Sequence, residues 1–173
     1  MQVKIRQETP DDFKRISEIN ELAFQQETEA KLISLLRKSI SFVPELSLVA
    51  THRDQLAGHI LFSRVEIINE DLHQFESLAL APMAVLPEYQ NQGIGGQLIK
   101  YGLERAKELK FKSVIVLGHE HYYPKFGFVP AEKWNIKPPF EVPKNVFMAI
   151  ALEEKGLNGV SGTVRYPKEF EEV

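Results

Sequence analysis

Leu78-Ala79-Leu80-Ala81-Pro82-Met83-Ala84-Val85-Leu86, then Pro87-Glu88-Tyr89, then Gln90-Asn91-Gln92-Gly93-Ile94-Gly95-Gly96: this stretch decides how the chain is read. The first part is an apolar run of strand length, the second is a turn, and the third opens a long amphipathic segment that reaches Leu109. Strand, glycine-rich turn and helix follow. Glycines at 93, 95 and 96 lack a Cβ, so the backbone can take unusual dihedrals and a ligand can come close. The first amides of a helix have no intrahelical partner, and the helix dipole adds positive charge there. Such a turn suits an anion, phosphate above all. First helical turns favour acids, yet no carboxylate occurs from Tyr89 through Leu103. Taken alone, the turn also fits a plain connection with glycines for tight packing.

Two phosphate-binding patterns fail on inspection. A Walker loop needs Lys followed by Ser or Thr after its last glycine, and Gly96 is followed by Gln97-Leu98. A dinucleotide fingerprint begun at Gly93 and Gly95 needs a third glycine where Leu98 stands. What remains is Gln-x-x-Gly-x-Gly on Gln90, Gly93 and Gly95.

Downstream, Ile94, Leu98, Ile99, Leu103, Ala106 and Leu109 form the helix's apolar side, with Lys107 and Lys110 complementing the dipole at its end. Ser113-Val114-Ile115-Val116-Leu117 is a short apolar strand, which makes a parallel crossover unit. Ligands bind beyond the carboxyl ends of such strands, placing Val85 and Gly118 at one mouth. Past it comes Tyr122-Tyr123-Pro124-Lys125-Phe126-Gly127-Phe128, where Gly127 stands as a helix-ending glycine.

With these two motifs in this order, the chain resembles the GNAT superfamily of acyl-CoA N-acyltransferases. The resemblance covers roughly Met1 to Leu152, and the ending resembles its YhbS-like bacterial subgroup. It implies an α/β (α+β) fold with a mixed central sheet splayed between strands 4 and 5 and flanked by helices. Residues 1–152 would form the domain, and 153–173 an extension packed on or near it. The resemblance also implies acetyl-CoA as cosubstrate, with the pyrophosphate held by Gln90, Asn91, Gln92, Gly93, Ile94, Gly95 and Gly96. Backbone groups of Met83, Ala84 and Val85 would be freed at a strand bulge to bind the pantetheine arm and the acyl carbonyl. Tyr123 would be the general acid toward the leaving sulfur, with Tyr122 the neighbouring candidate. A phenol of ordinary pKa about 10 stays protonated at neutral pH. For the general base the nearest glutamate on the central strand is Glu76, and solvent is the other acceptor. The acceptor would be an amine, on a small molecule or a peptide. A non-catalytic acyl-CoA-binding protein on the same fold is the alternative.

Working outward, Pro82 inside the apolar run signals a bulge, a local opening of the ladder or an edge strand, because proline cannot donate to a ladder. Val3 to Arg6 alternates as a strand; Thr9-Pro10-Asp11-Asp12 starts a helix carrying Phe13, Ile16, Ile19 and Leu22. A second helix begins near Glu27-Thr28 and carries apolar residues to Ile40, and Phe42-Val43-Pro44 breaks it. Leu46 to Thr51 and Leu56 to Ile68 read as strands of a meander entering the Leu78 strand. Phe128 to Trp134 reads as a strand, Lys137 to Pro143 as a proline-rich connection, and Asn145 to Leu152 as the last core strand. Gly162 to Tyr166 forms one more strand.

The 173 residues, 43% of them hydrophobic and 26% charged, suit one globular domain. A formal net charge of −3 gives nucleic acid little electrostatic support. The absence of cysteine rules out disulfides and thiolate chemistry. His52, His59 and His73 show no ligand spacing and read as surface or strand-face residues, and His119-Glu120-His121 offers two histidines without a third ligand, so no metal is expected. No apolar run approaches a membrane span, so the expectation is a cytoplasmic monomer or homodimer.

Overall fold

The computed structural model describes residues 2–173; Met1, where the expected domain begins, lies outside them. The chain runs β1 (Lys4–Gln7), α1 (Phe13–Phe24), α2 (Thr28–Leu36), β2 (Phe42–His52), β3 (Gln55–Ile68), β4 (Gln74–Val85), α3 (Ile94–Glu108), β5 (Ser113–Leu117), β6 (Val129–Pro130), β7 (Ile136–Lys137), β8 (Phe147–Ala151) and β9 (Gly162–Arg165). The start of α1 follows its sequence signal. A 3-10 turn at Pro10–Asp12 leads into it, and the Asp12 carboxylate accepts the Thr9 amide at 2.7 Å.

The main sheet runs β1-β2-β3-β4-β5-β8-β6. Its neighbours are antiparallel except β4 and β5, the pair joined by the α3 crossover. The alternation of β3 divides two layers. Ile60 and Phe62 pack with Leu98 and Ile99 of α3, whereas Leu61 packs with Ile16 and Ile19 of α1 and Ile33 and Leu36 of α2. β9 pairs with the far end of β3, Ile67 opposite Val164, and also with β7.

The central opening follows from one bulge. On β4, Ile60 stands opposite Met83 but Phe62 opposite Leu80, so Ala81 and Pro82 together face Leu61. The parallel ladder to β5 consists of Leu78↔Val114 and Ala79↔Ile115 and stops there. Beyond it β4 follows β3 as far as Val85↔Gly58, while β5 follows β8 as far as Leu117↔Phe147. The sheet is thereby splayed between its fourth and fifth strands.

Local readings were corrected at several places. The second helix ends at Leu36, and Ile40, assigned to it by periodicity, is 97% exposed beyond its end. Pro44 breaks no helix but lies inside β2, at an irregularity between Phe42 and Ser47 where proline's missing donor is tolerated. The stretch from Phe128 to Trp134 pairs only at Val129–Pro130 and then turns as a 3-10 helix over Ala131–Trp134.

Candidate functional site

The glycine turn is built to leave donors free. Asn91 and Gly93 have positive φ, 61° and 85°, which turns the chain before α3. Among the described residues, no backbone hydrogen bond uses the amide of any residue from 91 to 96, and the first α3 bond runs from Gln97 N to Gly93 O at 3.1 Å. Gln90 ties the turn to the strand, its Nε2 donating to Val85 O at 2.9 Å, and Gln92 Nε2 donates to Glu88 O at 3.1 Å. A Cβ on Gly95 would stand 3.0 Å from Tyr122 Oη and 3.3 Å from Met83 Cε; one on Gly96 would stand 3.3 Å from the Phe126 ring. The two sequence motifs are therefore in direct contact, and the glycines permit it.

The open edge of β4 is set by the ladder. Leu86 N donates to Ala57 O at 2.9 Å, so alternation turns the Ala84 backbone toward β3 and the Met83 and Val85 backbones toward the gap. Of the three residues expected to present freed backbone groups, Ala84 is therefore bound into the ladder. The Val85 carbonyl is taken by Gln90, which leaves the Val85 amide and both Met83 groups along the gap.

Tyr123 lines a cavity of about 880 Å³ bounded by Ala79 to Met83 on β4 and by Ile115 and Leu117 on β5. A Cβ on Gly118 would lie 2.3 Å from the Tyr123 ring, so glycine lets the ring lie against the chain leaving β5. The ring meets Tyr122 and Phe128 edge-on, at 5.2 and 5.7 Å between centroids. Burial, with a smaller contribution from Tyr122, pushes the Tyr123 phenol up to about 12. Burial also raises Tyr122.

Glu76 is not brought to this cleft. It sits near the start of β4, roughly 20 Å along the strand from Met83. Its side chain is 62% exposed and its Oε2 lies 3.7 Å from Arg64 Nε.

The opposite wall of the cavity holds no residue that the sequence singled out for the site, although the resemblance implies that the first two helices line the acceptor side. It consists of Phe24, Glu29 and Leu32 from α1 and α2, Pro139 and Phe140 from the proline-rich connection, and Tyr166, Phe170 and Glu171 from the C-terminal segment. The strand at Gly162 was legible; its docking on β3, which carries Tyr166 to the cavity, is a nonlocal pairing without a local signal.

A second polar cluster lies on the α1/α2 side of the sheet. Ser47 Oγ donates to Glu8 Oε1 at 2.6 Å, and Arg37 grips the same carboxylate through Nε and Nη2 at 2.9 and 3.0 Å. His59 Nε2 stands 2.9 Å from Ser47 Oγ, and the ring is fully buried. Burial alone would raise Glu8, but the nearby His59 ring and the hydrogen bonds from Arg37 and Ser47 outweigh it and hold the carboxyl at about 2. Burial lowers the His59 pKa and keeps the ring neutral against the pull of Glu8. With Nε2–H donating to Ser47, Nδ1 is an acceptor, and it has no partner among the described residues. His59, read from sequence as a surface or strand-face histidine, is thus a core residue.

Among the described residues, no group of three or more His, Cys, Asp or Glu side chains is placed to hold a metal ion. No helix among them is long and apolar enough to cross a membrane.

Comparisons with known proteins agree with this geometry. The profile of the acetyltransferase (GNAT) domain matches residues 44–130. YhbS of Escherichia coli K12, described as an uncharacterized N-acetyltransferase, is 34% identical over 167 residues, covering 96% of this chain and 97% of its own. YjhQ of the same strain, described likewise, is 39% identical over 134 residues, covering 77% and 74%. The crystal structure of E. coli YhbS in complex with CoA superposes with a TM-score of 0.90 at 31% identity, covering 99% of this chain and 93% of that one. A GNAT family acetyltransferase from Brucella melitensis in complex with acetyl-CoA superposes with a TM-score of 0.78 at 30% identity, covering 98% of each chain. Splayed strands, a turn of unused amides and a full-length likeness to acetyltransferases converge, and the chain belongs to the GNAT acetyltransferase family.

Proposed function

We propose that the protein transfers an acetyl group from acetyl-CoA directly to a primary amine in the cleft between β4 and β5. The observation that carries this is the convergence at one mouth of the unused amides of residues 91–96, the open Met83–Val85 edge and the Tyr123 phenol. Solved neighbours that hold CoA and acetyl-CoA add support.

Acetyl-CoA supplies the acyl group in activated form, as a thioester. The amides of Gln92 to Gly96 would hold its diphosphate, helped by the α3 dipole and by the lack of any carboxylate in the first turn. The Val85 amide and the Met83 backbone would hold the amide arm and polarise the acyl carbonyl. The amine nitrogen bonds to the acyl carbon as the C–S bond breaks and sulfur keeps the electron pair. Solvent takes one proton from the ammonium before the attack and a second from nitrogen as the amide forms. Tyr123 stays protonated across the neutral range and can donate a hydrogen bond to the leaving sulfur. With the Tyr123 phenol pushed up to about 12, full proton transfer to a thiolate would be uphill, and the phenol would serve the leaving sulfur by hydrogen bonding. Glu76 has no part in this reading, because its strand position keeps it from the cleft. A cytoplasmic location, with access to an acetyl-CoA pool, is part of the same reading.

Thermal unfolding with acetyl-CoA, CoA and ADP tests the binding half. A ligand at about 100 times its Kd adds roughly 2.7 kcal/mol to the folded state. Stabilisation by acetyl-CoA and CoA with little from ADP is the expected result; no shift at millimolar ligand sinks the assignment. Turnover follows from thiol release, and the chain has no cysteine to contribute background. Stabilisation without turnover of any amine or peptide would instead make the protein a non-catalytic acyl-CoA binder.

A further inference from the structure

We infer that the acceptor is a hydrophobic arylalkyl amine with no carboxylate of its own, and that the C-terminal segment selects it. This rests on the acetyltransferase reading above and adds the chemistry of the second substrate.

The cavity beside Tyr123 has a far wall of unusual make-up. Phe140 stacks on Tyr166 at 6.1 Å and 22°, and Tyr166 packs against Phe170 at 5.1 Å. Phe24 at the end of α1 lines the same cavity. Phe24, Phe140 and Leu117 all line this cavity and all remain open, at 38%, 42% and 45% exposure. Large apolar groups gathered around one concavity mark a place where an apolar body is buried on binding. At about 880 Å³ the space holds the end of an acyl arm and an aromatic-sized amine together.

The charges on this wall have one sign available. Glu29 and Glu171 line it, the former oriented by Gln26 Nε2 at 2.9 and 3.1 Å. Arg165 lines it too, but its guanidinium is 2.8 Å from Glu66 Oε2, so its positive charge is offset by a carboxylate. An ammonium approaching this rim is attracted by the carboxylates and by the aromatic faces, whereas a carboxylate is repelled. An amino acid would bring that repulsion with it. A polyamine or aminoglycoside would leave the aromatic wall wet.

Placement comes from the tail of the chain. Val164 is set opposite Ile67 by the β3–β9 ladder, which brings Tyr166 to the cavity, and the 3-10 turn Lys168–Glu171 then adds Phe170 and Glu171.

The test compares phenethylamine with phenylalanine, which adds a carboxylate, with ethylamine, which removes the ring, with spermidine, and with a short peptide. CoA release is read at acetyl-CoA concentrations shown by thermal shift to be saturating. Phenethylamine should exceed each of the others in kcat/KM by about tenfold or more. Glu171→Gln, at an exposed position, and Tyr166→Ala should each raise its KM by roughly tenfold while the KM for acetyl-CoA stays put. Equal or better turnover of phenylalanine, ethylamine, spermidine or the peptide overturns this inference and leaves the transferase standing. An unchanged KM in Glu171→Gln also overturns it. Turnover of none of the five, with acetyl-CoA bound, overturns both readings.

Discussion

The Glu8–Arg37–Ser47–His59 cluster and the cleft between β4 and β5 are neighbours on the sheet. His59 on β3 stands directly opposite Ala84 on β4, one residue from the open edge at Met83 and Val85. In the cluster, four polar side chains from four parts of the chain bond one another out of water, with His59 Nδ1 the atom left without a partner. In the cleft, one extra residue on β4 ends a ladder, and backbone donors are left facing a cavity. Both regions gather polar groups inside an apolar fold. One uses them up internally and becomes stability; the other keeps them unpaired and becomes a binding site. The difference lies in whether the partners belong to the chain.

Substitutions can break this contrast from either side. Arg37→Met should have the largest effect on the fold, because it strands the Glu8 carboxylate in the interior. The cost is about 3–5 kcal/mol, a fall in Tm of roughly 10 °C by calorimetry, with acetyl-CoA affinity of the folded protein unchanged. A fall of only a degree or two would mean the cluster relaxes into solvent. Gly95→Glu should do the converse. It places a side chain against Tyr122 and Met83 and a negative charge among the free amides. Acetyl-CoA affinity by titration calorimetry should drop by about a hundredfold or more, with little change in Tm. Retained affinity would remove the diphosphate from this turn.

Tyr123→Phe removes only a hydroxyl, so the apolar packing of the ring survives. The expected loss is about ten- to a hundredfold in kcat at an unchanged Kd for acetyl-CoA. With the phenol pushed up to about 12, the wild-type enzyme should show no alkaline loss from this group below about pH 10. A fully active variant would shift the donor role to Tyr122 or to water.

The cluster's acid response gives the next test. His59 is held neutral and Glu8 ionised in the folded state, so between the folded and unfolded pKa values the unfolded chain binds more protons. Stability is therefore full above about 6.5, falls as His59 charges in the unfolded chain, and falls further from about 4.5 toward about 2 as Glu8 is protonated. Urea unfolding at stepped pH should show that slope, and His59→Gln should remove its upper part only. A slope unaffected by the substitution would place the titration elsewhere. Gln90→Ala is the mildest change: losing its bond to Val85 O should weaken acetyl-CoA binding severalfold, about 1 kcal/mol, by loosening the turn.

Much of the cleft was readable because its parts are local. The Gln90–Gly96 turn, the Pro82 bulge and the Tyr122–Phe128 segment each carry their geometry in glycine and proline positions, and one crossover joins them. The ladder position of Ala84 is not legible in the sequence, because the direction of a backbone amide depends on register with β3, which a one-residue slip reverses. Glu76 was nominated for its residue type and strand, while its distance along that strand argues against it. The histidine at 59 and the glutamate at 8 carry no mutual signal, since they meet only when β1, β2, β3 and α2 pack together.

By itself the sequence determined the strand–turn–helix unit, the strand character of Leu56 to Ile68, and the family to which the chain is similar. These are consequences of periodicity and of backbone permissiveness, which act over a few residues. Only the tertiary structure decided that the Gly162 strand lies beside β3, that Tyr166, Phe170 and Glu171 thereby face Tyr123 across one cavity, and that His59 is sealed beside Glu8. The physical reason is that a strand's choice of neighbour, and a buried polar group's choice of partner, are settled by packing between segments far apart in the chain.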